Sequence, residues 1–433
     1  MLNDLNTLSL TEPTTDTIAV DVTDIPLSLY IHIPWCVKKC PYCDFNSHEL
    51  PIDSELSMYE EYVDALLLDA AMQQPLAQDR KIGSIFIGGG TPSLLPISQY
   101  QRLFSGLRTC FEFAEDIEVT MEANPGTLEH APFAQYLEVG INRLSIGVQS
   151  FAADKLKVLG RIHDPVQALS AIRAAKAAGF ARVNVDLMHG LPQQTMNEAL
   201  EDIQMAHNAG ATHISWYQLT IEPNTVFYRS QPILPDEDNL ADIEQAGQSL
   251  LQQLGYSNYE VSAWAGASDK PCRHNINYWQ FGDYLAIGAG AHGKVTICRN
   301  DSNSSDVKDK MKEDLLVASG IYRFSKSRLP KDYVVMNPDA TEMSDIRQIT
   351  PKMVGWQAID QEELVSEFML NALRLHGGVA WSLFEERTGL TLDSIAEQVN
   401  SLVKQGLLVD SDTQLQPTVL GQRYLNQILR AFL

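Results

Sequence analysis

Between residues 27 and 220 the sequence alternates short β-rich runs with longer segments of helical period. Six such runs, each followed by a helix at this spacing, predict parallel strands joined by right-handed crossovers. This pattern folds either as an open doubly wound sheet or as a barrel that is closed or nearly so. The predicted strands are 27–34, 82–89, 116–124, 143–150, 182–191 and 212–220, and the predicted helices are 55–73, 98–111, 130–138, 165–178, 196–208 and 236–255.

The positions of polar and small residues favour the barrel. Gly88 to Gly90, Glu122, Gln149 and Asp186 lie in or at the ends of successive predicted strands. The C-terminal rim of a βα barrel is where such groups converge on a ligand. The predicted fold is therefore an α/β partial barrel of the TIM type, (β/α)6, with a smaller domain after it.

The length of 433 residues predicts two or three domains. From about residue 360, a series of helices and a short strand pair predicts an α/β module of the winged-helix type. Residues 300–315 are polar and of mixed charge, which is typical of an exposed insertion. The predicted division is a polar tail at 1–26, a barrel with an extension at 27–300 whose core is 27–220, a linker or insertion at 301–359, and the winged-helix-like domain at 360–433.

Charge and hydropathy limit the classes of partner. The formal net charge is −23, and residues 360–433 hold 5 Lys and Arg against 10 Asp and Glu, so neither the chain nor this domain is expected to bind nucleic acid. The N-terminal 26 residues lack the pattern of a signal peptide, and no apolar run approaches the roughly 18 residues of a spanning helix. We therefore expect a cytoplasmic protein without a transmembrane segment.

Three cysteines, Cys36, Cys40 and Cys43, lie within eight residues just after the first predicted strand. In a reducing compartment such a group more often holds a metal than forms disulfides. A [4Fe–4S] cluster can take three cysteines and leave one iron open, whereas a structural zinc ion needs a fourth protein ligand, for which His48 is a candidate. A group of buried thiols without metal is the third interpretation. The other cysteines are scattered and predicted to be buried or incidental: Cys110, Cys272 and Cys298.

The segment GGGTP at 88–92 follows the second predicted strand and lets a ligand approach the backbone closely. A tight turn would need only one glycine, and the phosphate-loop pattern is absent. Together with the cysteine loop and the acidic residue that ends the third strand, GGGTP resembles the radical SAM superfamily. Within it, YIHIPWCVKKCPYCDF, FIGGGTPSLL, MEANPGTL, RLSIGVQSF, LGRIH and VNVDLMHGLPQQT resemble the oxygen-independent coproporphyrinogen III oxidase family.

This resemblance implies a [4Fe–4S] cluster on the three cysteines, S-adenosylmethionine chelated at the open iron, and an electron donor that reduces the cluster. It places Tyr30 and Tyr42 near the adenine. It also implies contacts from Gly89, Gly90 and Thr91 to the methionyl moiety, and polar contacts from Glu122, Gln149, Arg161 and Asp186. Each has a structural alternative: the tyrosines as packing residues, Glu122 as a loop cap, Arg161 as a surface ion-pair partner, and Asp186 in an interior polar network.

Two departures separate this chain from the oxidases of the family. Oxidases typically carry a further cysteine two positions after the third, where this chain has Phe45, and they have a longer N-terminal segment. The sequence HNINYW instead resembles the haem chaperone branch, which implies that haem is bound and delivered to an acceptor protein. The haem contacts implied are His274, Asn275, Tyr278 and Trp279, with a local structural role as the alternative and His292 as a second ligand candidate. An oxidase of coproporphyrinogen III is the alternative function, and whether the chain is an enzyme stays open.

Overall fold

The computed structural model describes residues 20–51, 55–128, 133–298, 319–335 and 353–433. Most of the predicted N-terminal tail and the whole insertion predicted at 300–315 lie outside these residues. The rest is organised around one large mixed sheet, with helices on its outer face and a helical C-terminal region.

Six consecutive parallel strands form the centre of the sheet, as predicted. Each begins and ends within three residues of its predicted bounds. They are β1 Leu27–Ile33, β2 Ile82–Gly89, β3 Phe113–Ala123, β4 Arg143–Gln149, β5 Arg182–His189 and β6 His213–Gln218.

Six further strands extend this sheet at both ends. The sequence analysis assigned no strands to these segments, which are β7 Tyr256–Asn258, β8 Ala263–Gly266, β9 Asp283–Ile287, β10 His292–Ile297, β11 Gly320–Lys326 and β12 Met353–Ala358. Strand β9 pairs in parallel with β1, whereas β8 is antiparallel to β6 and β10 to β12 continue antiparallel from β9. The order is β12-β11-β10-β9-β1-β2-β3-β4-β5-β6-β8-β7, so the described strands form an open, partial barrel.

Six of the described helices connect the strands, and three of these six begin at a side-chain cap. They are α1 Leu56–Gln73, α2 Ile97–Cys110, α3 Phe133–Val139, α4 Pro165–Ala177, α5 Met196–Ala209 and α6 Glu237–Gln253. Capping boxes begin α4 at Asp164 and α5 at Thr195, and Gly210 ends α5 in the left-handed conformation. Local sequence thus marks the start of α4 and both ends of α5.

The two faces of the parallel strands differ in chemistry. On β1, Leu27, Leu29 and Ile31 belong to the main apolar core, whereas Ser28 and Tyr30 alternate with them on the opposite face. The register pairs Ser28 with Ser84 and Tyr30 with Phe86, and the two serine hydroxyls lie 2.8 Å apart. The inner face of the barrel is therefore largely polar, and this is the face that can serve a ligand.

The C-terminal region has a second apolar core. Helix α7, Arg273–Trp279, precedes β9, and the region beyond β12 contains α8 Gln361–Ala372, α9 Trp381–Thr388, α10 Ala396–Lys404, α11 Val419–Arg423 and α12 Leu425–Arg430. A two-residue strand at Val379–Ala380 pairs antiparallel with Gln414–Leu415, in the order expected of a winged-helix module. Phe281 and Ile321 belong to the same core, so the module is joined by apolar contacts to the sheet extension.

Buried ion pairs tie this extension to the barrel. The Asp283 carboxylate at the start of β9 accepts hydrogen bonds from Arg80 at 2.8 Å and from Lys294 at 3.0 Å, and all three side chains are almost completely buried. Lys326 on β11 donates to Asp69 of α1 at 2.6 Å. Such pairs fix the register of the added strands because each buried charge needs its partner.

Candidate functional site

A cavity of about 460 Å³ opens at the C-terminal ends of the parallel strands. This is the rim at which ligands bind in βα barrels. Its wall contains the three clustered cysteines and all but one of the residues predicted to contact S-adenosylmethionine. These are Cys36, Cys40, Tyr42, Cys43, Gly89, Gly90, Thr91, Glu122, Gln149, Arg161 and Asp186.

Each of the three thiols has a polar neighbour at this wall. The Thr91 hydroxyl donates to Cys36 Sγ at 3.5 Å, Arg161 Nη1 donates to Cys40 Sγ at 3.7 Å, and Cys43 Sγ lies 3.8 Å from the Ser47 hydroxyl. Burial raises the pKa of the Cys36 and Cys43 thiols. Metal binding must therefore release protons from the loop.

The spacing of the thiols argues against a mononuclear zinc site. Three thiolates on one zinc ion, each at about 2.3 Å, would lie less than about 4 Å apart. Among the described residues, the only group of three ligands whose atoms all lie within 4.8 Å is Glu118, Cys272 and His274, so the loop cysteines are spread more widely. His48 is not part of the cavity wall, and its Nε2 lies 3.2 Å from the Arg328 carbonyl oxygen. A wider cluster with several metal ions fits this donor set better than zinc.

The glycine-rich segment is pressed against the end of β1. Gly89 has φ +113°, a conformation that side chains rarely adopt, and a Cβ there would lie 2.6 Å from the His32 ring. A Cβ on Gly90 would lie 2.5 Å from the Trp35 carbonyl oxygen. The amide of Gly90 donates to Ile33 O and that of Thr91 to Trp35 O, each at 2.7 Å. The glycines are thus required by close backbone approach beside the cysteine loop.

Two carboxyl groups face the cavity, Glu122 from β3 and Asp186 from β5, the strands on either side of β4. The Gly89 amide donates to Glu122 Oε2 at 3.3 Å, and burial, with Asp186 nearby, raises the pKa of Glu122 to about 8. Burial also raises the pKa of Asp186, whose carboxylate accepts hydrogen bonds from Ser145 and Asn184. Buried acids without a cationic partner are costly to ionise, so a cationic ligand would be favoured here.

Arg161 crosses the cavity wall from the segment after β4. It donates to the Gly147 carbonyl oxygen and to the Tyr42 hydroxyl as well as to Cys40, and its Nε is buried without a partner. The alternative of a surface ion pair does not describe this side chain, because its contacts are turned inwards. A guanidinium beside thiols and with an unused N–H suits an anionic group in the cavity.

Tyr30 is the one predicted S-adenosylmethionine contact that lies outside the cavity. Its hydroxyl is 2.8 Å from His32 Nδ1, and its ring stacks on Phe86 with the ring centroids 5.9 Å apart. Tyr30 thus makes packing contacts in this structure, and its contact with the adenine stays a prediction. Tyr42, in contrast, both lines the cavity and packs near Phe227.

Several cavity residues were missed by sequence reasoning. Ser145, Gly147, Ser215 and Tyr217 also line the wall, and the Tyr217 hydroxyl donates to Gln149 Oε1 at 2.9 Å. They alternate with apolar residues along β4 and β6, on the same face as the predicted residues. This period of two was the signal that could have found them.

The HNINYW motif forms α7, which packs against the barrel interior away from the cavity. His274 is 7% exposed, stacks on Phe86 with the ring centroids 4.1 Å apart, and has its Nδ1 2.8 Å from Cys272 Sγ. Asn275 donates to the Tyr259 hydroxyl at 3.4 Å. The structure brings none of the four motif residues into the cavity, and their contact with haem stays a prediction.

The two aromatic residues of the motif pack in different directions. Tyr278 makes an edge contact with Tyr284, and Trp279 lies under the Arg374 guanidinium of the C-terminal module at 4.3 Å. His292, the second candidate for haem, is exposed at the start of β10 and is outside the cavity wall.

Glu118, Cys272 and His274 form a closed polar network. Glu118 accepts from the Arg273 amide at 2.9 Å and from Cys272 Sγ at 3.2 Å, and Arg182 pairs with the same carboxylate. Burial raises the pKa of Cys272 to about 12 and lowers that of His274 to about 3, so both groups are neutral. Since Arg182 already balances Glu118, we interpret this group as a structural network rather than a metal site.

Comparison with known proteins agrees with this geometry. Residues 30–206 match the Radical SAM superfamily, and residues 359–424 match the HemN C-terminal domain. Among solved structures, coproporphyrinogen III oxidase (HemN) from Escherichia coli, described as a radical SAM enzyme, has a TM-score of 0.73 at 23% identity and covers 95% of this chain and 90% of that one. The fold and its three-cysteine cavity are those of the radical SAM superfamily.

The relatives define the family within this superfamily. The chain is 44% identical to the heme chaperone HemW of Haemophilus influenzae and to that of Escherichia coli, in each case over 94% of this chain and 98% of the relative. The heme chaperone HemW of Bacillus subtilis is 32% identical over 94% of this chain and 99% of that one. The chain belongs to the HemW family. No helix in the described part of the chain is both long and apolar enough to span a membrane.

Proposed function

We propose that this protein is a haem chaperone that carries a [4Fe–4S] cluster with S-adenosylmethionine and delivers haem to an acceptor protein. The observation that carries the proposal is the 44% identity to heme chaperones named HemW over nearly the whole length of both chains. Phe45 supports it, because the position typical of a further cysteine in the oxidases holds a side chain that cannot bind metal.

The cavity supports the cofactor part of the proposal. Cys36, Cys40 and Cys43 would hold the cluster, and the cluster with S-adenosylmethionine supplies one-electron radical chemistry when both are bound. Arg161 would bind the carboxylate of the cofactor, and Gly89, Gly90 and Thr91, which also line the cavity, would contact its methionyl moiety. Glu122 and Asp186, which line the same cavity, would balance the positive charge of the sulfonium.

The haem part of the proposal assigns axial ligation to His274. A neutral imidazole is a good iron ligand, and burial keeps this one neutral. Because Phe86, Cys272 and Glu118 enclose the ring, ligation requires α7 to move away from the barrel interior. Asn275, Tyr278 and Trp279 would then flank the bound haem.

The partners follow from the same proposal. They are haem, an acceptor protein for it, and an electron donor that reduces the cluster, all in the cytoplasm.

The test separates a chaperone from an oxidase. Protein reconstituted anaerobically with iron and sulfide is incubated with coproporphyrinogen III, S-adenosylmethionine and a reductant, and the porphyrins are analysed by mass spectrometry. The proposal predicts no decarboxylated product above the Cys36→Ala control. Turnover to protoporphyrinogen IX that depends on Cys36 would overturn it in favour of the oxidase.

A further inference from the structure

His32 lies in the barrel interior directly beneath the cavity wall. It is 4% exposed, and both of its ring nitrogens have partners. Nδ1 is 2.8 Å from the Tyr30 hydroxyl, and Nε2 is 2.9 Å from the main-chain carbonyl oxygen of Asn46. Asn46 is three residues after Cys43, so this hydrogen bond joins the ring to the cysteine loop.

These two contacts fix the tautomer. A carbonyl oxygen can only accept, so His32 Nε2 carries the proton and donates it to Asn46. Burial lowers the pKa of His32 to about 4, which leaves Nδ1 without a proton and able only to accept from the Tyr30 hydroxyl. The direction of both hydrogen bonds, and hence the ring orientation, follows from the donor and acceptor inventory alone.

The ring also limits the position of the glycine-rich segment. A Cβ on Gly89 would lie 2.6 to 2.8 Å from three atoms of the imidazole, so the Gly89 backbone rests against the ring. The main chain of His32 is held as well, because the Tyr62 hydroxyl donates to its carbonyl oxygen at 2.8 Å. The imidazole thus contacts the cysteine loop on one side and the glycine segment on the other.

Asn46 also connects the cysteine loop to segments beside the outer strands. Its side-chain amide donates to Ala289 O at 3.0 Å and to Arg328 O at 2.8 Å. A Cβ on Gly290 would lie 2.2 Å from the Asn46 amide nitrogen, so no larger residue fits beside it. Without the bond from His32, the main-chain carbonyl of Asn46 would lose its described partner within the barrel.

We propose that His32, oriented by Tyr30, is a positioning residue that sets the separation between the cluster-binding cysteine loop and the glycine-rich segment. This inference rests on the proposed function in so far as it assigns a cluster to Cys36, Cys40 and Cys43. It gives Tyr30 a role other than the adenine contact that the family resemblance implies.

Three variants test it against a matched control. His32→Gln can still place an N–H near the Nε2 position, whereas His32→Asn is too short to reach Asn46. Tyr30→Phe removes only the hydroxyl that orients the ring and keeps the proposal testable if His32→Asn fails to fold. Ser28→Ala is the control, because it removes a buried hydrogen bond from the same face of β1 that does not reach the loop.

The first readout is amide hydrogen exchange of residues 43–48 in the metal-free protein. We expect His32→Asn to accelerate this exchange about fivefold or more, as loss of one buried hydrogen bond implies, and Tyr30→Phe to accelerate it less. His32→Gln should restore the slow rate, and Ser28→Ala should leave it unchanged. Equal loop exchange in His32→Asn and wild type, or failure of His32→Gln to restore what His32→Asn loses, would overturn the inference.

The second readout is the reconstituted cluster. His32→Asn should release iron to a chelator faster than wild type and change the electron paramagnetic resonance spectrum of the reduced cluster with S-adenosylmethionine, whereas His32→Gln and Ser28→Ala should not. If His32→Asn leaves both unchanged, the inference is wrong. If wild-type protein takes up no cluster, the proposed function fails, and the hydrogen exchange still decides the role of His32.

Discussion

The assignment of the cluster rests on the three cysteines that line the cavity. We predict that Cys36→Ala, Cys40→Ala or Cys43→Ala each lowers the iron content after anaerobic reconstitution several-fold and removes the visible iron–sulfur absorbance, because each would remove one of three ligands. Cys110→Ala is the control, since Cys110 ends α2 and is not part of the cavity wall. Stoichiometric zinc without iron in the wild type would contradict this assignment.

We predict that Glu122 makes the binding of S-adenosylmethionine depend on pH. Its pKa is raised to about 8, so the free protein holds it mostly protonated at pH 7. A sulfonium cation binds better to the carboxylate, and the affinity for S-adenosylmethionine should rise as the pH increases from 6.5 to 8.5, by at most about tenfold per pH unit. Calorimetry on reconstituted protein measures this slope. Glu122→Gln should flatten it, and an equal slope in that variant would exclude Glu122 as the group responsible.

Sequence reasoning identified most of the cavity wall, but it did not predict the surroundings of Tyr30 and His274, whose ligand contacts stay predictions. The cysteines, the glycine segment, Glu122 and Arg161 could be found because each lies at or after the C-terminal end of a strand at one rim. Spacing could not distinguish Tyr30 from these residues, since only the structure shows that its hydroxyl is hydrogen-bonded to His32. His274 is in a motif that predicts a ligand, yet its packing on Phe86 depends on where α7 enters the barrel.

At the scale of elements, local signals and long-range pairing differ in how well they can be predicted. The strands β1 to β6 and helices α1, α2 and α4 to α6 follow the sequence period, α4 to α6 also begin at capping residues, and the predicted bounds are close to those observed. Strands β7 to β12 lie outside the βα repeat, and most of them pair antiparallel at the two ends of the sheet. Register there depends on buried polar partners such as Asp283, which no local pattern reveals.

Asp283 should be among the most important residues for the stability of the sheet extension. Asp283→Asn leaves Arg80 and Lys294 buried without a balancing charge, and we expect a loss of about 3 to 5 kcal/mol. Urea denaturation measures the shift in midpoint. Asp64→Asn, which disrupts the exposed pair with Arg102, should cost less than about 1 kcal/mol. Equal shifts for the two variants would refute the anchoring role.

At the scale of the whole molecule, the two parts of the proposed function lie in different halves of the barrel interior. The cavity with the cysteines is at the C-terminal rim, whereas His274 is inside, packed against Phe86. A continuous series of contacts joins them, from His274 to Phe86, then to Tyr30, to His32 and to the cysteine loop. This contiguity offers a physical route by which movement of α7 and the state of the loop could affect each other.

The measurement that tests the central claim most directly is a titration of reconstituted protein with haemin, followed by absorption spectroscopy. We predict saturable binding of one haem per chain, with affinity and spectrum both weakened by His274→Ala. His207→Ala is a suitable control, because His207 is only partly buried on α5 and contacts Tyr256 rather than α7. The absence of a bound-haem spectrum in the wild type at any haemin concentration would contradict the assignment of this protein as a haem chaperone.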